Sequence, residues 1–509
     1  MNLTDFYFLC AFAAILVIYY VIPHRYQWCV ILVSSIAYYV AGGHPVLVLY
    51  PLISVFISWL SARAIMALDD PKKKKTVFVI SIIALLAVLI LLKYLKFTGI
   101  EGLLVPLGLS YYTFTLIGYI ADVYNGITKP EENMFKLITF GMYFPALVSG
   151  PIMQYRVVSE SFFEEHDFDL DKVKYGLIRM LWGFFKKLVI AQRLSSVVAI
   201  MFADPHSFGG RNVWLAVLLF TFQLYSDFSG LMDIVLGISE CFGIKLPENF
   251  DTPFFARTIS EYWRRWHITL GVWFKEYVFY PVLRSKPYRS LQNALIKRLG
   301  KKTGKKTATF AGMFVLWLTV GLWHGGNPTY IIGSGLLHWL YIVLEESLEG
   351  PFTALWKKLK IDPAAKALEV IRVIRTFILV NFGNLFFRSA SVSAALFMIK
   401  KGFSGGGSVI PWMMTELMSG LSERGVRAFS DVTLLGISYI DLSIALMGIV
   451  ILVIADLIKR MSGLSIRDIL AKQKTPVRFA VCFIFLFAVI LFGEYGPGYS
   501  SAEFIYQGF

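Results

Sequence analysis

Ala308-Thr309-Phe310-Ala311-Gly312-Met313-Phe314-Val315-Leu316-Trp317-Leu318-Thr319-Val320-Gly321-Leu322-Trp323-His324-Gly325-Gly326-Asn327 is an apolar run that follows a strongly basic segment and ends on a histidine. From Ala308 to Trp323 it carries no charge, the pattern of a helix crossing a membrane. An ionisable group at membrane depth is expensive, so His324 is a functional-site candidate by default. The bland alternative is a neutral imidazole satisfied by a backbone carbonyl or a neighbouring helix. A second histidine shifts the balance toward chemistry: His267 lies in Glu261-Tyr262-Trp263-Arg264-Arg265-Trp266-His267-Ile268-Thr269-Leu270, another hydrophobic and aromatic setting.

The rest of the chain agrees with a membrane reading. Of its 509 residues, 57% belong to the AVILMFWYC set, 16% are aromatic and 16% are charged, against about 25% charged in ordinary soluble domains. An all-α polytopic membrane protein is expected, with one domain over residues 1–509. The net charge of +15 would raise nucleic acid as a partner of a soluble protein. Here the basic residues gather in connections between apolar runs, as the positive-inside rule predicts, which argues against nucleic acid and leaves membrane lipid as the surrounding partner. Four such clusters should face the cytoplasm: Lys72 to Lys75, Leu283 to Thr307 with nine Lys or Arg and no acid, Lys357 to Arg375, and Lys459 to Arg478.

Reading outward gives spans near Phe6–Ile22, Trp28–Ala41, Val46–Met66, Val77–Leu92 and Leu104–Ile120. Phe135–Ser149 is short and carries Pro145, so it reads as re-entrant or broken. Val173–Met201 contains Arg179, Lys186, Lys187 and Arg193, and some of it must lie at the interface or face a wet interior. Val213–Leu236 is long enough to cross yet contains Gln223, Asp227 and Asp233. Further spans are Ala308–Trp323, Tyr330–Leu344, Thr376–Phe387, Leu434–Ala455 and Phe479–Phe492. About 11–13 transmembrane or re-entrant helices with amphipathic interfacial helices result. The first apolar stretch lacks a preceding Lys or Arg, unlike a cleavable leader, and places the amino end outside. Parity from the basic clusters places the tail, residues 494–509, outside as well.

Several motifs carry less than they suggest. Gly300-Lys301-Lys302-Thr303-Gly304-Lys305-Lys306-Thr307 has one residue too few between its glycines for a phosphate loop, and Lys306 stands where the hydroxyl belongs. The seven histidines show no metal-ligand spacing, and no metal is expected. Cys10, Cys29, Cys241 and Cys482 have no redox spacing. Asp227 and Asp233 do not share a helix face, and pairing with Arg264, Arg265 or a lysine competes with a catalytic role. From Ser260 to Tyr280, Trp263, Trp266, Leu270, Trp273 or Phe274, and Tyr277 recur at three- and four-residue intervals. That stripe predicts an amphipathic helix with His267 on the same face as Trp263, Arg264 and Arg265 within reach of headgroups or an anionic ligand, and an interfacial anchor as the competing role.

The order of motifs decides between these readings. Gln223-Leu224-Tyr225-Ser226-Asp227-Phe228-Ser229-Gly230, then Leu246-Pro247-Glu248-Asn249-Phe250, then Tyr262 to Leu270, then Gly321-Leu322-Trp323-His324-Gly325 closely resembles the membrane-bound O-acyltransferase (MBOAT) family, in particular its branch that O-acetylates alginate. Pro106-Leu107-Gly108-Leu109-Ser110-Tyr111-Tyr112-Thr113-Phe114, Gly150-Pro151-Ile152, Phe386-Phe387-Arg388-Ser389-Ala390 and the tail Phe504-Ile505-Tyr506-Gln507-Gly508-Phe509 extend the resemblance over nearly the whole chain.

The resemblance implies an MBOAT-like bundle in the bacterial cytoplasmic membrane, with His324 as the essential catalytic residue and His267 as the second. Trp263, Arg264, Arg265, Trp266, Tyr225, Asp227, Trp323 and Asn327 are the expected substrate-binding residues, and Arg388 either binds donor phosphate or ends a span at the headgroups. Acyl transfer from a thioester to a hydroxyl needs a base, and a neutral imidazole can take that proton. His267 would orient the acceptor or hydrogen-bond the developing oxyanion. No permanently bound cofactor is expected. Acetyl-CoA would be the donor substrate, and Tyr506 the acyl carrier, since a phenol ionising near pKa 10 forms an ester that keeps much of its transfer potential; otherwise Tyr506 is a terminal aromatic anchor. An extracytoplasmic esterase-like partner of the SGNH type would pass the acetyl group to a cell-surface polysaccharide. D-alanyl transfer to teichoic acid is the nearest alternative. A polytopic glycan or lipid-precursor transporter, with the histidines and Asp227 or Asp233 as a proton relay, and a non-catalytic export scaffold are the readings from other classes.

Overall fold

The computed structural model describes residues 3–42, 45–94, 105–207, 209–404, 433–434 and 437–495. Among them eight helices are long and apolar enough to cross a membrane: Pro45–Ala67, Pro71–Tyr94, Gly210–Cys241, Lys301–Trp323, Pro328–Lys358, Lys366–Arg388, Ile440–Ser462 and Thr475–Phe492. Shorter apolar helices, Phe6–Val21, Gln27–Gly42 and Leu109–Tyr124, complete the expected all-α, multi-pass bundle. The segment with Pro145 is broken as expected, a short helix Met134–Gly141 followed by turns. Among the described residues, extended pairing is confined to 433–434 with 437–438 and a single bridge between Phe250 and Trp266.

Helix boundaries run past the apolar cores. Lys72 to Lys75 form the first turns of Pro71–Tyr94. The basic segment 283–307 is mostly helical, as Lys286–Leu299 and the start of Lys301–Trp323. A helix interior is compatible with lysine and arginine, whose long stems bury while their heads reach polar surroundings.

Gly210–Cys241 is the centre of the bundle, with 83% of its apolar window buried against 6–33% for the other seven long helices. It packs along Leu170–Phe184 and the π-helical segment Phe185–Ala191. Glycine permits that approach: a Cβ on Gly183 would lie 2.5 Å from the Gly230 carbonyl oxygen, and one on Gly237 would lie 2.5 Å from that of Gly176. Small residues bring membrane helices this close.

Close approach lets the charges of the two segments meet. Lys187 pairs with Asp227 at 2.5 Å and Lys186 with Asp233 at 2.6 Å, while Arg179 reaches Asp233, Glu240 and Glu248 at 2.8, 2.9 and 2.5 Å. Asp227 and Asp233 are therefore held by lysines and Arg179, and Arg264 and Arg265 play no part in holding them. The four cations of Val173–Met201 are buried within the protein, and Arg179 and Lys186 face an internal cavity, as one branch of the expectation had it.

The helix expected from Ser260 to Tyr280 is interrupted. Ile259–Trp263 and Ile268–Phe274 are separate helices, and His267 between them has φ 46° and ψ 52°. Left-handed backbone turns the second helix away from the first, so Trp263 and His267 do not share one helical face. Hydrogen bonding to Asn249, described below, holds this conformation against its intrinsic cost.

The glycine contact gives a direct test. Gly183→Leu is expected to lower stability in detergent by about 1–3 kcal/mol or more through overpacking, whereas Gly350→Leu, with open space at its Cβ, should leave the melting curve in place. Equal melting of the two variants would remove the close approach as a determinant of the fold.

Candidate active site

His324 ends the helix Lys301–Trp323, and only 2% of its surface is exposed. The chain then reverses through Gly325 (φ 126°) and Gly326 (φ 73°), values that side chains disfavour, and a Cβ on Gly326 would lie 2.4 Å from the Tyr94 ring. Asn327 caps the next helix by accepting from the Thr329 amide at 3.2 Å. It shapes the turn that follows His324.

This turn is fastened from Pro71–Tyr94. Lys93, buried, donates to the Trp323 carbonyl and holds its ammonium 5.4 Å from the Trp323 ring centre; the Tyr94 hydroxyl donates to the Leu322 carbonyl at 2.5 Å. The C-terminal end of a helix is partly negative, so a cation there is favourable. Phe387 packs edge-on to His324 at 5.3 Å.

His267 approaches from the other side, 1% exposed. Its Nδ1 lies 3.4 Å from Asn249 Oδ1, which also accepts from the Thr269 amide at 3.0 Å and the Thr269 hydroxyl at 2.7 Å. The backbone N–H of Thr269 requires an acceptor, so this atom of Asn249 is the carbonyl oxygen. That contact suits the tautomer with the proton on Nδ1 and the lone pair on Nε2. Thr269 Oγ1 in turn accepts from the Ile152 amide at 3.0 Å. Three sequence blocks, those of Ile152, Asn249 and His267, are thus tied by one chain of hydrogen bonds.

Trp323 joins the two histidines. Its ring centre is 4.6 Å from that of His324 and 6.1 Å from that of His267. Phe114 lies 6.0 Å from it and is itself stacked on Trp273 at 4.0 Å. Phe228 meets His267 edge-on at 4.7 Å, and Trp266 packs against Phe228 and Tyr225. His324, His267, Trp323 and Trp266 therefore come together.

The other expected site residues have partners of their own. Asp227 is paired with Lys187, and the Tyr225 hydroxyl donates to Asp456 at 2.7 Å. Trp263 packs on Trp317 and His338, both at 4.9 Å. Arg388 places its guanidinium 5.6 Å from the Phe202 ring at the end of its helix. Tyr506 and the rest of 496–509 fall outside the described residues.

Arg264 and Arg265 line a cavity of about 1250 Å³ with Arg257, Arg372, Arg375 and Tyr341, whose wall also carries Asp251, Glu261, Glu345, Glu346 and Glu349. Arg265 is held by Glu261 at 3.0 Å and Arg375 by Glu345 at 2.5 Å; among the described residues Arg264 and Arg372 make no ion pair. Tyr341 also borders a third buried histidine, His338, which sits among Tyr262, Trp263 and Trp317. His338 Nδ1 and the Nε1 atoms of Trp263 and Trp317 have no hydrogen-bond partner among the described residues. Buried polar atoms ordinarily have one, so this collar is suited to a polar guest.

Sequence reasoning missed Lys93, Asn249 and His338. Asn249 stood inside a quoted motif, and that was its signal; Lys93 and His338 had none beyond an ionisable side chain in an apolar run.

Two buried histidines thus meet at one tryptophan inside a multi-pass helical bundle. The sequence matches the membrane-bound O-acyltransferase family over residues 131–356. It is 30% identical over 433 residues to a probable alginate O-acetylase of Pseudomonas aeruginosa, covering 82% of this chain and 76% of that protein. It is also 30% identical to a peptidoglycan O-acetyltransferase of Helicobacter pylori, over 58% of this chain and 56% of the relative, and 30% identical to a teichoic acid D-alanyltransferase of Bacillus subtilis, over 56% and 69%. The chain belongs to the membrane-bound O-acyltransferase family and is an O-acyltransferase.

Misplacing a reacting group by about 1 Å can cost about 10²-fold in rate, so Lys93→Met should lower turnover to about that extent with little change in donor KM, and Lys93→Arg should recover part of it. Asn249→Ala should cost about 10–100-fold, as loss of a group that orients a functional histidine does elsewhere. Acyl-transfer rates of the purified variants in proteoliposomes check both; a shift confined to KM would detach these residues from the histidines.

Proposed function

We propose that this enzyme takes acetyl from cytoplasmic acetyl-CoA and delivers it outward through the cytoplasmic membrane for O-acetylation of a cell-surface polysaccharide. The observation that carries the reading is the convergence of His324 and His267 on the ring of Trp323. Enclosure of both imidazoles keeps water from competing with a hydroxyl for the thioester.

The donor would enter from the arginine-lined cavity, where Arg264 and Arg372 are available for phosphates. Its amide-bearing arm would pass Tyr341 and meet the donors of Trp263, Trp317 and His338. In the reaction, His324 takes the proton of the acceptor hydroxyl as its oxygen bonds to the thioester carbonyl carbon. Collapse of the tetrahedral intermediate breaks the carbon–sulfur bond, and the imidazolium returns the proton to the thiolate. With the proton on Nδ1, facing Asn249, His267 would turn Nε2 toward the acceptor hydroxyl and orient it. Tyr506 is the proposed first acceptor, with both chain termini outside and an SGNH-type esterase-like partner completing transfer to the glycan.

The test uses the full chain in proteoliposomes with radiolabelled acetyl-CoA, alongside His324→Ala and Tyr506→Phe. Hydroxylamine-sensitive label on the intact protein that vanishes in both variants is expected. Glycan acetylation without labelled protein would eliminate the Tyr506 relay. Failure of acetyl to move at all, with the partner present and D-alanyl thioester accepted instead, would overturn the acetyl assignment.

A further inference from the structure

A second cavity, about 160 Å³, is bounded by side chains of Leu170–Phe184, Gly210–Cys241, Ile440–Ser462 and Thr475–Phe492. It lies beside the arginine-lined cavity, separated by the ion pair of Lys459 with Asp251 at 3.2 Å. No step of the acyl transfer uses it. At about 160 Å³ it suits a small polar headgroup rather than a whole lipid.

The lining has three chemical parts. Most of its charges are matched within the protein: Arg179 and Lys186 by the carboxylates already described, Arg467 by both oxygens of Glu240 at 2.5 and 3.0 Å. Asp456 differs. It accepts from the Tyr225 hydroxyl at 2.7 Å. Lys186 and Lys459 of the same lining act on it electrostatically, yet among the described residues no Lys or Arg lies within ion-pairing distance of it. A carboxylate on a membrane-spanning helix, facing a cavity, gains from a cation in direct contact. Close by, Lys459 and Arg467 are paired with Asp251 and Glu240 but retain further N–H donors that can turn to an anion. The third part is apolar: Trp182 and Phe485 meet at 5.6 Å. Phe485 belongs to Thr475–Phe492, whose window is only 6% buried and whose outer face is therefore apolar surface for lipid chains.

We propose that this cavity binds the headgroup of a phosphoethanolamine lipid, its primary ammonium donating to Asp456, its phosphate held by Lys459 and Arg467, and its acyl chains leaving over Trp182 and Phe485. A primary ammonium supplies three N–H donors, whereas the trimethylated headgroup of choline supplies none. Asn249 lines the same cavity, so the bound headgroup braces the residue that holds His267 and couples the active site to the surrounding bilayer.

The full chain, delipidated and returned to nanodiscs containing equal phosphatidylethanolamine, phosphatidylcholine and phosphatidylglycerol, would be ejected into a native mass spectrometer and its retained lipid identified. Retention of one phosphatidylethanolamine over phosphatidylcholine by about tenfold or more is expected from a charge-assisted hydrogen bond. Asp456→Asn, which keeps an acceptor for Tyr225, should erase that preference, and Lys459→Met should weaken retention. Equal retention of the ethanolamine and choline lipids, preferential retention of phosphatidylglycerol, or an unchanged preference in Asp456→Asn would each overturn the proposal. If Asp456→Asn does not purify, the wild-type comparison of the two headgroups decides alone.

Discussion

A bilayer offers no water to solvate a charge, so every ionised group at depth must find its partner inside the protein. In this chain that constraint falls on Arg179, Lys186 and Lys187, whose partners Asp227 and Asp233 stand on the neighbouring helix. The pairs form only because Gly176, Gly183, Gly230 and Gly237 let the two backbones approach. Such pairs are costly to break, since removal of one member strands the other. They fix the central helix Gly210–Cys241 and with it the segment from Glu248 to Thr252.

The active site depends on that placement. Asn249 sits just beyond the central helix and gathers His267 and Thr269 around a single carbonyl oxygen. From the opposite side, Lys93 and Tyr94 satisfy carbonyls in the last turn of the His324 helix. The histidines are thus oriented by two independent anchors, and Trp323 sets the spacing between them.

Relatives that acetylate and relatives that transfer D-alanine share this family at similar identity. A common imidazole chemistry is compatible with several acyl groups and acceptors, since a fold carries a reaction while the mouths of its channels select substrates.

Hydropathy and basic clustering are local properties, so the membrane class, nearly all spans, the broken segment at Pro145 and both histidines were legible in the sequence alone. Motif order was equally legible and carried the family. The left-handed break at His267 was not, because the tryptophan spacing around it obeys helical periodicity and no glycine marks the turn; hydrogen bonds to Asn249 override the local preference. Nor were the partners of Asp227 and Asp233, the grip of Lys93 on the Trp323 carbonyl, or the burial of His338. Those depend on which helices pack together, and side-chain pairing between distant segments is set by close approach in three dimensions, which a residue's own hydropathy does not encode.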